Sequence, residues 1–242
     1  MMYRPTTTRV LRVCPSVSTG RWHMAVLALC LTLAGCSGQP PVPDWKLNAY
    51  SAADKSVQAY LSGDARIEKL EFDRARLETA RTGQPALLAR LELLRCAAQV
   101  ASLVIGPCAG FEALRPDAAA PELAYADYLA GQATPASLKH LPEAQQRVAL
   151  LPAEQAARAL ADMADPLSRL VAAGVLLQTG RAHPDVIVLA TDTASAQGWR
   201  RPLMAWLLVQ AQRADAAGDF GVAARLRRRI ALVEHSSAAA RP

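Results

Sequence analysis

The chain has 242 residues and is 52% hydrophobic and 20% charged, which excludes a disordered tail, a collagen and a low-complexity polymer. Its formal charge is +6, but residues 1–35 hold Arg4, Arg9, Arg12 and Arg21 and no acid, so a body without that stretch carries only +2. A body so near neutrality lacks the broad basic surface of a nucleic-acid binder, and no nucleic-acid partner is expected.

The first element in chain order is the apolar run that begins at Met24 and ends at Cys36, preceded by Arg21 and His23. It is long enough for the apolar region of a signal peptide and short of the roughly 20 residues that span a bilayer. It closes on Leu33-Ala34-Gly35-Cys36. This resembles the lipobox of bacterial lipoproteins, in which small residues fit the protease pocket and the thiol takes the lipid. The resemblance implies cleavage before Cys36 and acylation of Cys36, with several chains making a stable anchor. An ordinary secretory signal with a chance cysteine, and an uncleaved anchor, are the alternatives. Ser37 stands where Asp favours inner-membrane retention in enteric lipoproteins, so the implied address is the outer membrane, with the body facing the periplasm.

Four segments are therefore expected: a signal peptide over 1–35, Cys36 with a Pro-rich tether to residue 44, a helical domain over 45–235 and a frayed tail over 236–242. Cys14 and Cys30 leave with the signal. Cys96 and Cys108 remain, an even pair in an oxidising compartment. Gly106-Pro107 breaks the helix between them and lets the chain turn back. A disulfide is expected; two buried free thiols are the alternative, and no CxxC or neighbouring His supports a metal or a catalytic role.

The body reads as helix almost throughout, because Ala and Leu dominate it. Asp44 is expected to cap a helix ending at Gly63, Asp64 to start a second reaching Gly83, and Pro85 to open a third. The third is apolar most of the way round and should be central. Residues 106–121 hold three prolines and read as irregular. Short pieces follow from Pro121, Pro135 and Pro142, then helices from Pro152 to about Ala164, from Asp165-Pro166 to Gly180, from Pro184 to Gly198, from Pro202 to Gly218 and from Asp219 to about Glu234. The strand-like Val186-Ile187-Val188-Leu189 sits in a helix-length window and reads as buried helix.

Residues 203–234 resemble a tetratricopeptide hairpin, with Gly218-Asp219-Phe220 at the turn and Ala223 as the small residue at the helix crossing. Weaker hairpins surround Gly83 and Gly180. The resemblance implies an all-α, helical-hairpin array, tetratricopeptide-like, although the turn glycines are unevenly spaced. The chain is also similar to helical lipoproteins of Gram-negative bacteria, which implies a location and no activity.

Catalytic signatures are missing: there is no GxSxG, P-loop, HExxH or dinucleotide glycine fingerprint. His140 reads as a surface residue, His183 as a helix cap and His235 as a helix-end residue. Glu68, Glu71, Glu78, Glu92 and Glu154 read as solvated faces with arginine partners, such as Arg74 beside Glu71. Trp199 and Trp206 read as core or interface anchors. Arg225, Arg227, Arg228 and Arg229 form a basic cluster that is either a solvated face or a contact for anionic headgroups, lipopolysaccharide phosphate or an acidic partner. No cofactor, metal ligand set or small-molecule substrate is indicated. The leading expectation is a non-enzymatic scaffold that binds another envelope protein. A peptidoglycan- or lipopolysaccharide-binding module and a cell-wall hydrolase are the alternatives.

Overall fold

Small residues and punctuation set the architecture. The computed structural model describes residues 41–239, with side chains to His235. The expected signal peptide, Cys36 and most of the tether lie outside the described residues. The helices in order are α1 (Asp44–Ser62), α2 (Ala65–Ala80), α3 (Pro85–Ala101), the single turn α4 (Ala109–Glu112), α5 (Ala120–Leu129), the single turn α6 (Glu143–Gln146), α7 (Ala153–Ala161), α8 (Pro166–Gln178), α9 (Pro184–Ala196), α10 (Arg200–Ala216) and α11 (Phe220–Ala239). Short 3-10 turns lie at Arg115–Asp117 and Leu138–His140. No strand occurs among the described residues, so the all-α expectation holds.

The turn chemistry explains the boundaries. Gly63 has φ +85°, a left-handed conformation that costs any other residue, and this lets Asp64 N–H reach back to Ala59 O at 2.8 Å. Asp64 then caps α2 by accepting from Ile67 N–H at 3.0 Å. Asp165 and Asp219 cap α8 and α11 in the same way, accepting from Ser168 N–H at 2.7 Å and Val222 N–H at 3.0 Å. His183 Nδ1 accepts from Asp185 N–H at 3.3 Å, the cap expected of it.

Several boundaries differ from expectation. Asp44 lies inside the first turn of α1, after Pro43, rather than capping it. α7 stops at Ala161, short of Ala164, while α10 begins at Arg200, two residues before Pro202. The irregular stretch 106–121 contains α4 and a 3-10 turn. α11 is assigned as far as Ala239.

α3 is central, as its apolar circumference requires: it packs on α1, α2, α4, α5 and α8. Where α3 crosses α8, a Cβ on Gly174 would stand 2.4 Å from Val100 O, so only glycine fits. Cys96 on α3 and Cys108 before α4 form the expected disulfide, with Cα atoms 5.8 Å apart. Val186 and Ile187 are buried in α9.

α10 packs on α1 as well as on α9 and α11. Trp199 Nε1–H donates to Gln58 Oε1 at 3.0 Å, Arg200 to Ser62 O at 2.8 Å and Arg201 to Tyr60 O at 2.9 Å. Trp206, fully buried, donates to Ala101 O at 3.1 Å. Both tryptophans are therefore core anchors. α11 packs on α10 through a separate small core of Leu207, Ala211, Leu226 and Ile230.

Candidate binding groove

Two clefts meet at Leu94, which lies half-buried on α3 and lines both. The first has a volume of about 430 Å³ and an apolar floor that includes Leu93, Leu141 and Pro142. That volume falls within the range of ordinary ligand pockets. The second, about 330 Å³, lies between α1 and the starts of α8 and α10. Helical spacing explains its α1 wall, because Tyr50, Ala53, Asp54, Val57 and Gln58 share one face.

The first cleft contains an ion pair. Pro121 opens α5, which places Glu122 in the first turn, where its charge suits the helix dipole. Glu122 is only 3% exposed and accepts from Arg90 Nε–H at 2.5 Å. Its second oxygen, Oε2, is buried and makes no hydrogen bond. Tyr125 lies one turn on, and burial, with a smaller contribution from the Asp165 carboxylate, pushes its hydroxyl pKa well up. The hydroxyl therefore acts as a neutral donor or acceptor. His140, expected on the surface, is half-buried on the wall of this cleft.

The second cleft is acidic at its rim. Asp54 and Asp165 are both exposed, and neither is in an ion pair among the described residues. Asp165 spends one oxygen on the α8 cap. Tyr50, 78% exposed, stands beside them. The groove thus offers an apolar slot at one end and two carboxylates with an aromatic ring at the other. That combination suits an apolar side chain followed by a cationic one.

The glutamates correct one sequence expectation. Glu68, Glu78 and Glu92 are buried, not solvated. Their arginine partners are present: Arg95 holds Glu68 at 2.9 Å while stacking over Phe72, Arg81 holds Glu78 at 2.9 Å, and Arg76 holds Glu92. Glu71 pairs with Arg74 at 3.9 Å, as read from its spacing, and Glu154 is exposed. Burial raises the Glu92 carboxyl above its ordinary value, and Arg76 and Arg95 only partly offset this. Helical periodicity shows Arg74 and Arg81 one turn from Glu71 and Glu78, but could not reveal the pairs that join two helices, because Arg76 and Glu92 are 16 residues apart and Arg90 and Glu122 are 32 apart.

Cys36 lies outside the described residues. The four arginines of the basic cluster sit on α11, away from the groove. Arg225, Arg228 and Arg229 are exposed, while Arg227 pairs with Asp215. Among the described residues, no group of three His, Cys, Asp or Glu side chains could hold a metal ion. No described helix is long and apolar enough to cross a membrane. Compared with known proteins, the chain matches no family model, no curated protein and no solved structure.

Proposed function

We propose that the chain is a non-enzymatic, lipid-anchored scaffold of the outer membrane, facing the periplasm, that binds another envelope protein in the groove around Leu94. The groove is the observation that carries this reading: an apolar slot beside a rim of unpaired carboxylates, built from four helices far apart in sequence. Surfaces of this kind accept extended or helical segments of a partner. The segment that fits it carries an apolar side chain for the Leu93–Leu94–Leu141 slot and a lysine or arginine for Asp54 and Asp165. The hairpins at Gly63, Gly83, Gly180 and Gly218 support a tetratricopeptide-like array, with α10–α11 as its best unit.

The test uses a photo-crosslinking residue in place of Tyr50, at the groove's edge, in living cells. One envelope protein should be captured, and Leu94→Glu and Asp54→Lys should each abolish capture while leaving the melting curve cooperative. Capture that survives both substitutions, or no capture, overturns the groove. In the same cells Cys36→Ala should release the chain from membranes and end its labelling by fatty acid; persistent labelling overturns the anchor.

A further inference from the structure

α11 carries a face that the groove does not use. Arg225, Arg228 and Leu232 follow one another at helical spacing along the side opposite the buried Ala223, Leu226 and Ile230, with Arg229 beside them. Leu232 and Phe220 are each 71% exposed. None of the three arginines is in an ion pair or a side-chain hydrogen bond among the described residues. The nearby acids are committed elsewhere: Asp215 to Arg227, and Asp219 to the cap at Val222. Glu234 lies two turns past Arg227 on that other side of the helix. The two clefts that meet at Leu94 are lined by no residue of α11, so this face is separate from the groove.

A row of unpaired guanidiniums with an exposed leucine on the same face complements a planar array of phosphates over hydrocarbon. We infer that α11 lies against a bilayer surface carrying anionic phospholipid, with Arg225, Arg228 and Arg229 on the phosphates and Leu232 at the acyl boundary. The inference rests on the proposed anchor in one respect. Seven residues separate Cys36 from Asp44, a reach of about 25 Å when extended. Surface charge is felt only within about 8 Å at physiological salt. Such an anchor would hold the body near a membrane, and contact between the arginines and the headgroups requires the closer approach inferred for α11.

The experiment uses the full chain, purified from membranes, with a photo-crosslinking residue in place of Leu232. It is reconstituted into vesicles of phosphatidylcholine alone, or of phosphatidylcholine with phosphatidylglycerol at three to one. The chain should float with both, and position 232 should crosslink to lipid only in the anionic vesicles. Molar salt should remove the adduct, and so should the combined Arg225→Glu, Arg228→Glu and Arg229→Glu substitutions, by about a hundredfold. The salt arm needs no altered arginine and so stands even if the triple variant misfolds. A chain that floats without an adduct, or gives equal adducts in both vesicles, overturns the α11 surface and leaves the anchor standing. A chain that floats with neither overturns the anchor and the inference together. A protein adduct at position 232 in cells shows that the face belongs to a protein interface and overturns the lipid assignment.

Discussion

Gly174 and Glu92 show how single side chains are constrained by neighbours they do not meet in sequence. Alanine normally stabilises a helix interior over glycine by about 1 kcal/mol. At Gly174 the opposite should hold, because the added Cβ would meet the backbone oxygen of Val100, which cannot rotate away. Overpacking of this kind costs roughly 1–3 kcal/mol. Gly174→Ala should therefore lower the melting temperature by roughly 2–12 °C in a domain of this size; a rise would show that α3 and α8 do not cross so closely.

Glu92 supplies a prediction with a sign. Its carboxyl is raised above the ordinary 4.5, chiefly by burial. A group raised on folding contributes stability that is fully present below its unfolded value, near 4.5, and is lost as pH climbs through the higher folded value. The ionised form is thus the costly one at neutral pH, despite Arg76. Glu92→Gln should be as stable as the parent or more so at pH 7, and that advantage should vanish by about pH 4. Melting curves at the two values decide it, and a variant that suffers more at pH 7 than at pH 4 would show that the ion pair wins over burial.

At the scale of elements, α10 and α11 form the hairpin whose parts the sequence named. Ala223 is fully buried and Asp219 caps α11. Ala223→Phe should cost roughly 1–3 kcal/mol by overpacking. Asp219→Ala should cost about 0.5–2 kcal/mol by loss of the cap. Thermal melts of both variants check this, and two unchanged midpoints would mean that the segment is not a packed hairpin. Helix starts and stops were legible here and elsewhere because proline, aspartate and glycine act on the backbone within four residues of themselves. Asp165-Pro166 and Gly63-Asp64 are local events, read locally. The buried glutamates were not legible, since a Glu beside an Arg one turn away looks solvated until a third helix covers it. The same limit hid the groove. Leu94 is an unremarkable leucine in an apolar helix until Pro142, Asp165 and Tyr50 arrive around it.

At the scale of the molecule, the contact between α10 and α1 sets the cooperativity. A solenoid built only of neighbouring repeats would keep its first and tenth helices apart. Here they touch, so the body should melt in one step rather than from its ends. A chain ending after Gly218 loses α11 but keeps the closure, and should resist limited proteolysis over residues 43–218. A chain ending after Gly198 loses Trp199, Arg200, Arg201 and Trp206 together, and should be digested throughout. A resistant fragment from the shorter chain would show that the first nine helices stand alone.

That closure also fixes an order of events during synthesis. Protein chains emerge amino end first. The carbonyls of Tyr60 and Ser62 and the Gln58 amide wait 138 to 141 residues for their donors, and Ala101 O waits 105. Until residue 206 is delivered, the Ala101 carbonyl at the end of α3 lacks the indole donor that will satisfy it. The growing chain therefore passes through a stage in which the ends of α1 and α3 await the donors of α10.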